Sequence, residues 1–435
     1  MALGGGRFAT MNKVLPGTYI NVITQTADSH SIESGVVALP YCLNWGPKSS
    51  IIEVLATESA TDIFTKLGDN MYTAENLLPI REIFKGGATK IILYNLNDGE
   101  KASCTYATAK YEGVRGNDIK IKIVANVDDP SKKDVSTIID GTVKGTQTVS
   151  KASELVDNDW VTFSKSATLD LTAGTPLTGG TNGTITGTQH MAALEALEQK
   201  FFNALVCDAT EKATVALYSA YVKRLRDSLG KCFQLVAYNA AEDYEGIINV
   251  ATKVATDNGA KESALVYWVA GKTVSRAFGK SNTNATYNGE LAPLCTETQA
   301  QLEEAIKNGK LIFHTVGDDF KVLLDINSLT TFTDEKGSLM AKNEVVRVTD
   351  YLNNSIASLF NSRYIGNVIN SDAGRAHLRQ DIASIQDELV NAGAINYNGN
   401  DLKVSLGPDK GDVVIEDLIT INAAMVRLYM TVRVN

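Results

Sequence analysis

The order of residues near the C-terminus constrains the fold of this chain more than any other feature. From Val426 to Val434 apolar and polar residues alternate without a break. Val426, Leu428, Met430, Val432 and Val434 fall on one side of an extended backbone, and Arg427, Tyr429, Thr431 and Arg433 on the other. A strand of this kind must find partners for its N–H and C=O groups, either in its own sheet or in another chain. Near the other end, Thr18, Tyr19, Ile20, Asn21, Val22, Ile23 and Thr24 form a second strand candidate. Ile20 and Val22 share a face, Pro16-Gly17 punctuates its start, and the glycine-rich stretch before it has too few apolar residues for a core.

Between these ends the pattern changes several times. Residues 35–40 read as an apolar strand leading into the turn Asn44-Trp45-Gly46-Pro47, and residues 88–94 as a buried strand after the Gly86-Gly87 break. Residues 95–187 hold short Thr/Val/Ile-rich runs separated by Gly, Asp and Ser clusters, the signature of an inserted all-β module. Helical spacing follows at Met191, Leu194, Leu197, Phe201 and Leu205, and again at Val215, Tyr218, Val222, Leu225 and Leu229. A strand over 232–238, a helix over 244–255 and a strand over 264–269 then give a β-α-β-α-β order, which predicts a sheet covered by helices. A helix over 296–307, a hairpin of 311–316 with 320–326, and two amphipathic helices carry the chain to Gly393. Val345, Val348, Leu352, Ile356 and Leu359 mark the first of those helices, and Leu378, Ile382, Ile385 and Leu389 the second.

The predicted fold class is therefore α/β and α+β multidomain. It has a central helix-covered sheet, an inserted all-β module, and a C-terminal α+β domain with extended N- and C-terminal strand arms. The expected boundaries are an N-terminal arm over 1–25, a first part of the α/β body over 26–97 and the inserted β-rich domain over 98–187. The second part of the body follows over 188–325, the C-terminal α+β domain over 326–415 and the C-terminal strand arm over 416–435.

Several kinds of chemistry find no support in the residues. A net charge of −9 with no basic run argues against nucleic acid as a direct partner. Five widely spaced cysteines, Cys42, Cys104, Cys207, Cys232 and Cys295, read as reduced, buried thiols of a protein that folds in a cytoplasm. The first residues lack the apolar core of a signal peptide, and no apolar run approaches the roughly 18 residues of a membrane span. Ala270-Gly271-Lys272-Thr273 resembles the end of a phosphate-binding loop, but Val266 stands where its first glycine is required. His30, His190, His314 and His377 show no metal-ligand spacing, and Asp318-Asp319 and Glu303-Glu304 fit a solvated turn and a polar helix face. No catalytic residue, cofactor or metal ligand is therefore assigned.

Several motifs, in order, resemble the contractile tail sheath family. They are Leu15-Pro16-Gly17-Thr18-Tyr19-Ile20-Asn21-Val22, then Gly35-Val36-Val37-Ala38-Leu39 with Asn44-Trp45-Gly46-Pro47, then Phe84-Lys85-Gly86-Gly87 with the strand after it. Tyr111-Glu112-Gly113-Val114-Arg115-Gly116-Asn117-Asp118-Ile119 and Gly179-Gly180-Thr181-Asn182-Gly183 bracket the inserted module as in that family. Residues 325–332 with the closing strand look like the sheaths of Gram-positive myophages, defective prophages and R-type bacteriocins.

The resemblance implies a homo-oligomer of hexameric rings stacked in a helical sheath around an inner tail tube protein. Baseplate and tail terminator proteins would be further partners, and no enzymatic role or direct membrane insertion is implied. It also implies assembly in the bacterial cytoplasm, release by lysis, and contraction that drives the tube through a target envelope. Inter-subunit strand exchange falls on Thr18, Tyr19, Ile20, Asn21, Val22 and Ile23, and on Val426, Leu428, Met430, Val432 and Val434. Arg224, Arg226, Arg347, Arg363, Arg375 and Arg379 offer charge for contacts between bodies. Arg375 and Arg379, one helical turn apart, are candidates to face the tube from the C-terminal domain. Two other readings stay open, an α/β enzyme or nucleotide-binding protein with a dispersed site, and another particle protein such as a tube or capsid subunit.

Overall fold

The computed structural model describes residues 34–256 and 259–434. Its centre is a six-stranded sheet in which β1 (Val36–Tyr41), β3 (Lys90–Asn95), β10 (Ala204–Cys207), β11 (Gln234–Tyr238) and β12 (Ile247–Val250) are joined by parallel pairings. The strand order is β12-β11-β10-β1-β3-β2, and β2 (Ile51–Leu55) closes one edge antiparallel to β3. β1 takes a central place because it is apolar throughout, as a strand covered on both faces must be. Its Pro40 is tolerated because pairing with β10 is confined to Val37 and Ala38, so the missing N–H interrupts no ladder.

Successive side chains of β1 feed two cores. Val37 and Leu39 pack with Ile91, Leu93, Val206 and Val236 under α2 (Leu78–Gly86) and α5 (Leu265–Ser275). Val36 and Ala38 pack with Leu205 and Leu235 under α3 (Gly187–Leu197) and α4 (Lys212–Leu229). α2 crosses α5 at very short range. A Cβ on Gly271 would stand 2.0 Å from the Ile83 carbonyl oxygen, and one on Gly86 would stand 2.5 Å from the Trp268 carbonyl oxygen. Glycine is required there for backbone approach, which is the role of Gly271 in the fragment that resembles a phosphate loop.

The structure corrects three sequence expectations in this region. Residues 247–250 form strand β12 and not part of a helix, and 265–275 form helix α5 and not a strand. α5 buries every residue from Leu265 to Gly271 because it lies between the sheet and α2, and an all-round apolar run has no period to separate a buried helix from a buried strand. The helix expected to include Phe201 and Leu205 stops at Leu197, Leu205 lies in β10, and Met191 is exposed.

The inserted module is a four-stranded antiparallel sheet of order β7-β6-β5-β9, made of β5 (Ile119–Ala125), β6 (Lys133–Ile139), β7 (Thr142–Val149) and β9 (Thr172–Pro176). The pair β4 (Ala107–Ala109) and β8 (Val161–Phe163) accompanies it. Its core joins the body through Trp45, which is fully buried and lies 5.4 Å from the Trp160 ring and 5.3 Å from that of Tyr111. Arg115 clamps the same joint, bonding the Gly68 carbonyl and Asp69 on the body and Asp118 and Asp140 on the module.

After α6 (Gln299–Lys307) and the hairpin of β13 (Phe313–Val316) with β14 (Asp319–Val322), the chain enters its C-terminal α+β domain. α7 (Asn343–Leu359) and α8 (Asp372–Asn391) share a core built on Val348, Leu352, Leu378, Ile382 and Leu389. The buried pair Arg226–Asp350, with oxygen-to-nitrogen distances of 2.6 and 2.8 Å, ties α4 to α7. Burial pushes the Asp350 carboxyl up while the adjacent guanidinium pulls it down. No helix among the described residues is long and apolar enough to cross a membrane, and those residues hold no cluster able to bind a metal ion.

Candidate assembly interface

Two short antiparallel pairs lie on the C-terminal domain, β15 (Ile395–Tyr397) with β18 (Ile419–Ile421), and β16 (Lys403–Leu406) with β17 (Val413–Glu416). In the first pair Ile395, Tyr397, Ile419 and Ile421 pack on the α7–α8 core, while Asn396 and Thr420 face solvent. The Asn422 N–H donates to the Ala394 carbonyl at 2.8 Å. In an antiparallel ladder this makes Asn396 and Thr420 the next bonded pair, so the N–H and C=O groups of Ile395 and Tyr397 point away on one side and those of Ile419 and Ile421 on the other. Among the described residues these outward groups have no hydrogen-bond partner. The pair is a ribbon with one face on a core and both edges open.

Beyond Asn422 the chain leaves the domain. Residues 422–434 belong to no strand, and the tie at Ala424, whose N–H donates to Glu344 Oε1 at 2.9 Å, is the last hydrogen bond before the end of the described chain. Leu428 and Tyr429 are 86% and 89% exposed, and Met425, Met430, Val432 and Val434 are exposed as well, with Val426 partly covered. The alternating sequence is therefore present, but its expected strand finds no pairing among the described residues. Each apolar side chain that such a segment buries against a partner contributes about 1.5–3 kcal/mol, and each backbone hydrogen bond about 1 kcal/mol net. The other exchange candidates, Thr18, Tyr19, Ile20, Asn21, Val22 and Ile23, lie outside the described residues.

The arginines expected as surface charge are committed within the subunit. Arg226 and Arg347 are buried, paired with Asp350 and Asp325. Arg224 pairs with Glu198, and Arg363 with Asp381. Arg375 binds Asp372 and, at 2.8 Å, Asn370 Oδ1. Arg379 donates from Nε to the Leu402 carbonyl at 2.8 Å and also to that of Gly399. The physical reason is local, since each guanidinium lies beside a carboxylate or open carbonyls of its own chain and gains short hydrogen bonds there. The cysteine expectation holds only in part. All five are free thiols, but Cys42, Cys104 and Cys295 are partly exposed while Cys207 and Cys232 are buried.

Sequence reasoning missed the open ribbon, because β15 and β18 have three residues each, too few for an alternation signal. It also missed a shallow apolar groove beside the β16–β17 hairpin, where Ile365, Val368 and Ile369 are exposed.

The C-terminal domain thus carries an open ribbon and an exposed apolar tail, neither of them paired along its edges among the described residues. Comparison with known proteins gives the family. Residues 34–96 match the tail sheath protein Gp18 domain III N-terminal region, 97–182 the phage tail sheath protein beta-sandwich domain, 183–328 the phage tail sheath protein central domain, and 335–435 the phage tail sheath C-terminal domain. The phage-like element PBSX protein XkdK of Bacillus subtilis is 32% identical over 100% of both chains. The chain belongs to the phage tail sheath protein family. The sheath tail protein of Desulfitobacterium hafniense superposes on this sheath protein with a TM-score of 0.80 at 34% identity, covering 93% of this chain and 100% of that one. The helical sheath of the anti-feeding prophage in its contracted state shares the fold, with a TM-score of 0.55 at 14% identity over 97% of this chain and 98% of that one. The α/β body, inserted β module and C-terminal α+β domain are thus those of tail sheaths, and the protein is a structural subunit.

Proposed function

We propose that this sheath subunit polymerises by strand exchange into hexameric rings stacked around an inner tail tube, and that collapse of the lattice drives the tube through a target envelope. The exposed, apolar segment 425–434, unpaired among the described residues, supports this reading, because its alternation is the pattern that the open edges of a β15–β18 ribbon on another copy can accept. Its apolar row would extend the α7–α8 core of that copy, and its polar row would face solvent. Residues 18–23 are assigned the same role at another edge. Exchanged strands keep subunits linked while compact bodies rotate, and the energy of contraction is stored in the assembled lattice.

The baseplate and terminator proteins are the partners assigned to the ends of the cylinder. The solvent side of α8 is assigned to the tube. Arg375 and Arg379 are assigned to face it from there, beside the exposed His377 and Gln380. Assembly is assigned to the bacterial cytoplasm, with release by lysis. Deleting residues 425–435, or 1–24, should leave folded monomers of unchanged thermal stability that form no cylinders in negative-stain micrographs. Long cylinders after either deletion would overturn the reading.

A further inference from the structure

A small cleft between the body and the C-terminal domain is walled by polar groups that the subunit leaves unmatched. Gln234 lines it from the start of β11, Thr273 from α5, Arg276 from just beyond that helix, and Arg347 and Asp350 from α7. Gln234 Oε1, Thr273 Oγ1 and Arg347 Nε are buried and have no hydrogen-bond partner among the described residues. Gln234 and Thr273 are only 1% and 2% exposed. An unmatched buried polar group is costly, and several around one cleft call for a ligand.

A chain of hydrogen bonds fixes what each group can offer. Asp325, in an ion pair with Arg347, accepts from Asn343 Nδ2 at 2.8 Å, so Asn343 presents its Oδ1 to Gln234 Nε2 at 3.2 Å. The free end of Gln234 is therefore its carbonyl oxygen, an acceptor. The terminal nitrogens of Arg347 bond the Lys280 carbonyl at 2.7 Å and Asp325 at 3.4 Å, which leaves its Nε–H as a donor held in place. Arg276 donates from Nε to the Ser281 carbonyl at 2.9 Å, and its terminal nitrogens have no partner among the described residues. Asp350 is the only acid among the lining residues, and Arg226 takes it up.

The wall thus offers donors from two guanidinium groups and the Thr273 hydroxyl, with one acceptor at Gln234. A fully ionised anion would leave the Gln234 oxygen against another acceptor, whereas an oxyanion that keeps a proton satisfies both kinds of group. The cavity volume of ≈ 50 Å³ has room for about three or four water molecules, and so for an ion of phosphate size. We infer that the cleft binds one inorganic phosphate, its unprotonated oxygens on Arg276, Arg347 Nε and Thr273 Oγ1 and its P–OH donating to Gln234 Oε1. The ion would bridge β11 and α5 of the body to α7, and so hold the setting of the C-terminal domain. Binding of this kind is independent of polymerisation, so the full-length subunit in solution is enough to test it.

Titration calorimetry with potassium phosphate, at ionic strength fixed with potassium chloride, should give a single site per chain. Sulfate carries no proton at neutral pH and should bind about tenfold more weakly. Glycerol phosphate should bind no more tightly than phosphate, because the cavity has no room for the ester group. Arg276→Gln should weaken phosphate binding by about tenfold or more, and Thr273→Val by several-fold, with thermal melts in chloride confirming that both variants fold. No phosphate binding by the wild type, or binding that Arg276→Gln leaves unchanged, would overturn the inference. Sulfate as tight as phosphate, or an ester tighter than the free ion, would overturn the assignment to inorganic phosphate, and these comparisons need no variant.

Discussion

At the residue scale, the position of a charge decides its energetic weight. Arg226 and Asp350 are almost wholly buried, with side chains 7% and 10% exposed. Removing one partner leaves the other charged and desolvated, so Asp350→Ala should cost about 3–5 kcal/mol in urea unfolding. Arg224→Ala, which breaks an exposed, solvent-screened pair with Glu198, should leave the unfolding transition close to that of wild type in the same experiment. Glu290 gives a pH signature. Its hydrogen bonds with Arg81, and with Lys85 beside it, hold its carboxyl down at about 2 against an ordinary 4.5. A depressed carboxylate stabilises the fold fully above its unfolded value, and that contribution disappears as pH falls through the folded one. The stability difference between wild type and Glu290→Gln should therefore be constant near neutrality and shrink between pH 4.5 and about 2, as followed by thermal melts.

At the element scale, the body depends on close helix packing and the C-terminal domain on open edges. The α2–α5 crossing leaves no room for a methyl group at Gly271, so Gly271→Ala should destabilise the monomer by about 1–3 kcal/mol through overpacking. Urea unfolding at constant slope would measure it. The β15–β18 ribbon is too short to stand alone, and it persists because one face rests on Ile382, Ile385 and Leu389 of α8. Its edges carry no stability of their own within the subunit and are available for pairing.

At the scale of the whole molecule, the subunit and the polymer draw on different residues. Leu428 and Val432 are 86% and 69% exposed in the isolated subunit. Replacing both with Asp should leave the monomer's unfolding free energy within about 0.5 kcal/mol of wild type, and should abolish cylinders in negative-stain micrographs. Loss of the monomer fold in that variant would mean that the segment pairs with its own body.

Much of this organisation was legible in the sequence, where period and punctuation are strong. The inserted β module, α4, α7, α8 and the alternating tail all follow from spacing that one-sided burial imposes. Two elements were read in the wrong class, 247–250 and 265–275, because burial on every side erases the period from which class is inferred. The sequence by itself determined that the tail alternates apolar and polar residues, as a strand with one covered face does. Only the tertiary structure decided that none of the described sheets takes it, that a three-residue ribbon elsewhere has open edges, and that the arginines are engaged within the subunit. Those outcomes depend on which distant residues meet, and a linear pattern cannot record that.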